Sequence, residues 1–149
     1  MSRTRSVFLD ELAAIFSSYG LPPMAGRIVA HLLICDPPQQ SFEQLGRAVG
    51  ASRASVSTMT RLLERLGLVE RTSGGGKRLS YRLPSDVWTQ LLDEDLRAAT
   101  RMRDLAGRGA RLAGLRPSAK QRLRGMRAFY TFLERETARS LARWKRGAR

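Results

Sequence analysis

The sequence is poor in the residues from which most catalytic and metal sites are built. Its 149 residues include one cysteine, Cys35, and one histidine, His31. A single cysteine excludes an internal disulfide and a zinc site made of several cysteines. With one histidine and no clustered pair of carboxylates, no nucleophile has a base beside it, and no phosphate-cradling loop is present. We therefore expect no enzyme, no metal site and no cofactor.

Long hydrophobic runs are also lacking. The longest, from Ile28 to Cys35, is interrupted by His31 and is far too short to cross a bilayer. The chain does not open with the charged, apolar and small-residue succession of a signal peptide. We therefore expect a cytoplasmic protein that has no membrane partner.

Acidic residues are scarce. There are 13 Asp and Glu residues against 27 Lys and Arg residues, which gives a formal net charge of +14. The surplus is largest in residues 101–149, which hold fifteen basic and three acidic side chains. Positive charge attracts polyanions and accelerates their encounter with the protein. Charge alone leaves nucleic acid, an anionic membrane and an acidic protein open as partners.

Helical periodicity is present at both ends of the chain. Residues 7–19 carry one apolar stripe, which is followed by Gly20: Phe8, Leu12, Ile15, Phe16 and Tyr19. Residues 24–34 are apolar nearly all round, which is typical of a central core helix. A long helix is predicted to begin at Ser85, and a last helix at Pro117, where apolar residues run close to a heptad.

Two short helices are predicted in the middle of the chain. The string Ser41-Phe42-Glu43-Gln44 is a capping box that begins the first helix, Gly50 turns the chain, and Ser52 caps the second helix. Four apolar residues of the second helix, at spacings of three and four, predict one buried stripe: Val56, Met59, Leu63 and Leu66.

A β-hairpin is predicted after these helices. Residues 68–71 and 79–83 are strand-like, and Gly74 to Gly76 form the tip between them. Alternation on the second strand predicts one buried face, made of Leu79, Tyr81 and Leu83. Two short helices followed by such a hairpin make a winged helix-turn-helix. The predicted fold is therefore mainly α with a small β-hairpin wing, extended by long helices.

Once its apolar stripe turns inward, the second short helix exposes a small, polar and cationic face. The residues of this face, which we predict to bind double-stranded DNA, are Ser52, Arg53, Ala54, Ser55, Ser57, Thr58 and Arg61. A helix suits the major groove when it exposes short polar side chains and a few long donors. Lys77 and Arg78 follow the glycine tip and can reach a minor groove or its phosphates. A solvated charged helix with a loose loop is the alternative, but the order of helix, turn, helix and wing favours DNA binding.

Five short strings, taken in order along the chain, make up a recognisable pattern. They are Gly20-Leu21-Pro22-Pro23, Gly26-Arg27-Ile28, Gln44-Leu45 to Val49-Gly50, Ser55-Val56-Ser57 and Leu63 to Val69. Together they resemble the MarR family of transcriptional regulators over residues 6 to about 92. The Gly26-Arg27-Ile28 string and the helix start Ser85-Asp86-Val87-Trp88 are most similar to its GbsR-like branch.

The resemblance implies a homodimeric regulator that binds one palindromic operator and represses transcription, often until a small ligand relieves it. It implies an N-terminal dimerisation helix in residues 1–21, a winged helix-turn-helix in 22–84 and a helical dimerisation region in 85–149. MarR-like wings commonly carry an aspartate before paired arginines, whereas here three glycines precede Lys77-Arg78. The minor-groove role carries over to Arg78 by position, without the acidic partner that would orient it.

Four residues are candidates for an effector site between the dimer helices and the DNA-binding region: Phe16, Tyr19, His31 and Trp88. Core packing explains the aromatic residues equally well, and His31, inside an apolar helix, is more typical of a hydrogen-bonded core histidine. Cys35 is a candidate redox sensor, since some MarR-like proteins use cysteine in this way. No basic neighbour in sequence lowers its pKa, which favours a small packed residue.

Two other functions remain open. One is a nucleoid-associated protein that coats DNA with little sequence preference, and the other is an adaptor whose basic helices bind an acidic protein. A comparison of binding to one palindrome and to bulk DNA separates a regulator from a coating protein. Loss of all DNA binding leaves the adaptor.

Overall fold

Helices make up most of the residues that the computed structural model describes, which are 3–73 and 79–147. The elements in chain order are α1 (Arg3–Ser18), α2 (Pro23–Ile34), β1 (Gln40–Ser41), α3 (Phe42–Val49), α4 (Arg53–Arg65), β2 (Glu70–Ser73), β3 (Leu79–Arg82), α5 (Val87–Gly109) and α6 (Pro117–Gly147). This confirms the predicted fold class, mainly α with a small antiparallel sheet. The chain divides into two compact units, Met1–Val87 and Trp88–Arg149.

The first unit is built around α2, as its apolar composition predicts. The buried apolar side chains of α2 are Ala25, Ile28, Val29, Ala30 and Leu32. Gly26 lies where α1 crosses α2, and a Cβ at this position would be 2.7 Å from the Cα of Ala13. Because Ala13 Cα belongs to the backbone, only a glycine allows the two helices to approach this closely.

The buried face of α1 differs from the predicted stripe. Leu9 and Ala13 are the buried residues of this helix, whereas Phe8, Ile15 and Tyr19 are exposed. The reason is the approach at Gly26, since a small residue on α1 must face that glycine. Phe8, Ile15 and Tyr19 of the predicted stripe are therefore exposed, while Leu12 and Phe16 are half-buried.

Local signals place α3 and α4 where the sequence predicts them. Ser41 and Gln44 form a complete capping box at the start of α3, and the Ser52 hydroxyl accepts from the Ser55 amide at the start of α4. Between the helices Gly50 has a φ of 69°, a left-handed conformation that favours glycine. A Cβ at Gly46 would lie 2.9 Å from the Ala51 carbonyl oxygen, so the tight turn requires glycine there too.

The buried stripe of α4 is only partly as predicted. Val56 and Leu63 are fully buried, but Met59 is half-buried and Leu66 is 41% exposed. Thr60 is fully buried instead. Its hydroxyl donates to the Ser57 carbonyl at 3.2 Å, so the burial leaves no unpaired donor. Leu66 lies outside the stripe because α4 ends at Arg65.

The sheet has the order β1-β3-β2, with both pairs antiparallel. The predicted buried face of β3 is wrong at Leu79, which is 48% exposed, while Tyr81 is buried and Leu83 half-buried. β1 pairs only with Ser80 and Tyr81, so these two residues are covered and Leu79 lies beyond the partner strand. The first hairpin strand also begins two residues later than predicted, at Glu70.

In the second unit hydrogen bonds join α5 and α6. The Trp144 indole nitrogen donates to the Thr89 hydroxyl at 2.8 Å, and Thr100 donates to Glu134 at 2.8 Å. Leu141 is buried on α6. The long apolar pattern predicts the start of α6 correctly at Pro117.

Candidate nucleic-acid interface

The N-terminal half of α4 carries the predicted DNA-binding residues on one face. Arg53, Ala54, Thr58 and Arg61 are exposed there. Ser55 and Ser57 are half-buried, and Ser52 is exposed at the cap. Because the apolar residues of α4 turn to the other side, the exposed face combines small side chains with two long cationic ones.

The polar groups of this face are mostly satisfied within α4 itself. Thr58 donates its hydroxyl hydrogen to the Ala54 carbonyl at 3.0 Å, which leaves the oxygen lone pairs of Thr58 directed outward as acceptors. Arg61 donates through Nε to the Ser57 carbonyl at 3.3 Å. The terminal nitrogens of Arg61 retain donors for a phosphate or a base edge.

Arg53 is held differently, by two residues at the start of α3. Its guanidinium carbon lies 5.7 Å from the centre of the Phe42 ring, within the range of a cation–π contact. Its Nη1 lies 3.4 Å from Glu43 Oε1. Phe42 and Glu43 were not among the residues predicted for the site, because their contact with Arg53 joins two helices. The sequence signal that could have pointed to this contact is Glu43, an acidic residue two positions after the capping residue Ser41.

The base of the wing carries cations that are paired with carboxylates. Arg71 on β2 contacts Glu64 at the end of α4 at 2.6 Å, and Arg82 on β3 contacts Glu70 at 2.6 Å. The hydrogen bond to Glu64 raises the pKa of Arg71 above its usual value. The predicted wing residues Lys77 and Arg78 lie outside the described residues.

Family models match both parts of the chain. One for the MarR family matches residues 19–79, and one for MmpR5-like MarR family transcriptional regulators matches residues 86–147. Over 139 residues the chain is 35% identical to the HTH-type transcriptional regulator MmpR5 of Mycobacterium tuberculosis, covering 92% of this chain and 84% of that protein. This chain belongs to the MarR family.

A solved structure agrees with this assignment. The crystal structure of a transcriptional regulator matches with a TM-score of 0.85 and 33% identity, covering 96% of this chain and 99% of that one. MarR-family proteins are DNA-binding transcriptional regulators, and such regulators are not enzymes. The predictions that this chain is a DNA-binding regulator and that it is not an enzyme are therefore confirmed. The family model that matches residues 86–147 describes MmpR5-like regulators, and the assignment to the GbsR-like branch stays a prediction.

The effector candidates of this MarR-family chain occupy different surroundings. Tyr19 is 80% exposed, and Phe16 is half-buried where α1 crosses Gly26. His31 is buried in α2, and its Nε2 lies 3.2 Å from Gln40 Oε1. Trp88 is about half exposed and belongs to the second unit.

The environment of His31 favours the neutral imidazole. Burial lowers the pKa of His31 below its usual value, and Arg5 contributes in the same direction, while the hydrogen bond to Gln40 opposes them. Because Gln40 Nε2 donates to the Pro37 carbonyl at 2.7 Å, the Gln40 oxygen faces His31 as an acceptor. His31 therefore has the contacts of a hydrogen-bonded core histidine.

Cys35 lacks the setting of a reactive thiol. The side chain is half-buried, and burial raises the pKa of the Cys35 thiol above its usual value. Since the thiolate is the oxidation-sensitive form, this environment favours the packed residue over the redox sensor.

The part of the chain that the structure describes has neither a metal-binding cluster nor a membrane-spanning helix. Residues 3–73 and 79–147 hold no group of three His, Cys, Asp or Glu side chains placed to bind a metal ion. Within the same ranges, no helix combines the length and the apolar character needed to cross a membrane.

Proposed function

We propose that this MarR-family protein is a homodimeric, sequence-specific repressor that inserts α4 into the major groove of a palindromic operator. The observation that carries the proposal is the exposed face of α4, which holds short polar side chains around two arginines. In this proposal the DNA contacts are made by Ser52, Arg53, Ala54, Ser55, Ser57, Thr58 and Arg61. Lys77 and Arg78 of the wing reach the adjacent minor groove.

The charge distribution along α4 supports this assignment. The first acidic residue of α4 is Glu64, near its C-terminal end, and this carboxylate is paired with Arg71. An acid in the N-terminal half would repel phosphates where the recognition helix of a helix-turn-helix meets base edges. Arg71 and Arg82 at the base of the wing are each paired with a carboxylate at 2.6 Å, more closely than Arg53 is with Glu43 at 3.4 Å. We therefore assign the DNA contacts to Arg53 and Arg61.

Exposed apolar side chains support a homodimer. Val7, Phe8 and Ile15 are exposed on α1. In the second unit the exposed large apolar residues include Leu105, Leu112, Phe129 and Phe132. A second copy covers such surfaces through a symmetric interface, and a two-fold dimer suits a palindrome whose half-sites are about 34–36 Å apart. Residues 22–84 then bind DNA, and residues 1–21 and 85–149 supply the dimer helices.

Regulation by a small ligand is the finer part of the proposal. Phe16, Tyr19, His31 and Trp88 are its candidate contacts, and a ligand that favours a dimer with the wrong spacing of α4 helices would release the operator. The GbsR-like branch is part of the same proposal. It is supported by the Gly26-Arg27-Ile28 string, whose glycine lies at the crossing of α1 and α2.

The test is selection of bound duplexes from random DNA by the purified protein at a stated salt concentration. We expect one palindrome to be enriched and to bind roughly 10³-fold or more tightly than bulk DNA. A protein that coats DNA would enrich no sequence, and an adaptor would retain no DNA. Sedimentation without DNA tests the assembly, because a monomer at micromolar concentration would contradict the homodimer.

A further inference from the structure

Three aromatic and charged residues from three different elements meet at the first residue of α4. Tyr81 on β3, Phe42 on α3 and Arg53 on α4 form one stack. The rings of Phe42 and Tyr81 are 4.9 Å apart, edge to face, and Arg53 lies over the Phe42 ring at 5.7 Å. Glu43 contacts the edge of the same guanidinium at 3.4 Å.

The lower part of this stack is rigid. Tyr81 is only 1% exposed and lies in the central strand of the sheet, where it pairs with Gln40 and Arg71. Phe42 follows Ser41, whose side chain and amide both take part in the capping box. A ring fixed by the sheet on one side and by a helix cap on the other is a defined platform for a planar cation.

The upper part restricts one long side chain. Arg53 is 77% exposed, and an arginine this exposed usually samples many rotamers. The ring beneath its guanidinium and the carboxylate at one edge reduce that freedom, and they leave the remaining N–H groups available to another acceptor. Arg61 is the other exposed arginine of this face. Among the described residues, its one hydrogen bond is from Nε to the Ser57 carbonyl of its own helix.

We propose that Arg53 reads a guanine in the operator, with Phe42 and Glu43 as the positioning residues that orient its guanidinium. The inference rests on the proposed function, since it needs α4 in the major groove. Arginine donates two hydrogen bonds to O6 and N7 of guanine, and this contact requires a fixed plane and direction. Arg61 is then a phosphate contact, for which charge is sufficient.

The position of Glu43 supports this assignment. A carboxylate at the DNA-facing side repels phosphates, so Glu43 does not add affinity by its charge. It does lie in the first turn of α3, where an acid suits the helix dipole. The two roles are separable, because a helix-terminal role leaves base preference unchanged and a positioning role does not.

The experiment measures affinity for the selected operator and for every single-base variant of it. The proteins are wild type, Arg53→Ala, Glu43→Gln, Phe42→Leu and Phe42→Tyr. Glu70→Gln is the control, because it breaks another partly exposed carboxylate–arginine pair, with Arg82, in the sheet rather than at the start of α4. Circular dichroism and thermal unfolding confirm that each variant is folded, and Glu43→Gln with Phe42→Tyr provide the test if Phe42→Leu does not fold.

We expect Arg53→Ala to lose about 5- to 150-fold discrimination at one G·C pair in each half-site. Glu43→Gln should relax the same position about 2- to 5-fold, the size of one exposed ion pair, with an unchanged salt dependence. Phe42→Leu should have a similar effect of about 2- to 5-fold through the cation–π contact, and Phe42→Tyr should retain wild-type discrimination.

The outcomes distinguish failure of the positioning role from failure of the proposed function. Wild-type protein without sequence preference would overturn the proposed function. If the wild-type protein prefers one palindrome but Glu43→Gln shows the same base discrimination as Glu70→Gln, the positioning role of Glu43 is overturned and the proposed function is not. Tighter binding of Glu43→Gln to all sequences equally would overturn it as well, because Glu43 would then act only by repelling phosphates.

Discussion

The crossing of α1 and α2 gives a prediction whose size follows from the structure. In Gly26→Ala the new methyl group would lie 2.7 Å from Ala13 Cα, 2.9 Å from the Leu12 carbonyl oxygen and 3.0 Å from Phe16 Cβ. Ordinary carbon contacts are about 3.5–4.0 Å, so α1 must retreat by roughly 1 Å. Two of these three atoms are backbone atoms, which cannot rotate out of the way.

The retreat loosens the packing of Leu9 and Ala13, the buried residues of α1. Overpacking of this kind costs about 1–3 kcal/mol, and the better helix propensity of alanine returns about 1 kcal/mol. We therefore expect Gly26→Ala to lower the free energy of unfolding by up to about 2 kcal/mol.

A matched control is available in α6. Gly125 is also inside a helix, but a Cβ there would meet nothing within 4 Å. Gly125→Ala should therefore raise the free energy of unfolding, by about 0.5–1 kcal/mol. The assay is urea unfolding followed by circular dichroism at one fixed protein concentration, because the proposed dimerisation would make stability depend on concentration. A Gly26→Ala protein as stable as Gly125→Ala would refute the close approach of the two helices.

Three further predictions concern pH, capping and DNA contacts. The pKa of His31 is lowered in the folded state, so its stabilising contribution is present above the unfolded value of about 6.5 and is lost as pH falls below it. Urea unfolding between pH 7.5 and 5.5 should show this loss, and His31→Gln should remove it, because no other histidine is present. Ser52→Ala should cost about 1 kcal/mol in thermal unfolding, since the Ser55 amide loses its acceptor, and an unchanged midpoint would contradict this role. Arg61→Ala should weaken binding to all DNA sequences and reduce the slope of log affinity against log salt by about 0.9, whereas a loss confined to one base pair would make Arg61 a base contact.

Local chemistry made much of this fold predictable. The capping box at Ser41, the cap at Ser52 and the turn at Gly50 depend on residues within four positions of each other, and each lies where the sequence places it. The boundaries of α3 and α4 followed from these signals. The exposed face of α4 could be inferred for the same reason, because a helix fixes which residues share a side.

The missed features depend on distant parts of the chain. β1 has two residues and no apolar alternation, and it forms only because β3 lies beside it forty residues later. The face of α1 that is buried depends on a glycine in another helix. The contact of Arg53 with Phe42 joins two helix starts that no helical period relates.

Ser41 belongs to two structures at once. It pairs with Ser80 as the last residue of β1, and its hydroxyl accepts from the Gln44 amide as the cap of α3. The sheet at the base of the wing is therefore completed by the residue that starts the helix-turn-helix. A hairpin transplanted alone into another regulator would lose its third strand, so residues 40–44 must be exchanged together with it. The wing of this protein is consequently not a separable module, and chimeras are better joined before Gln40 than between the helices and the hairpin.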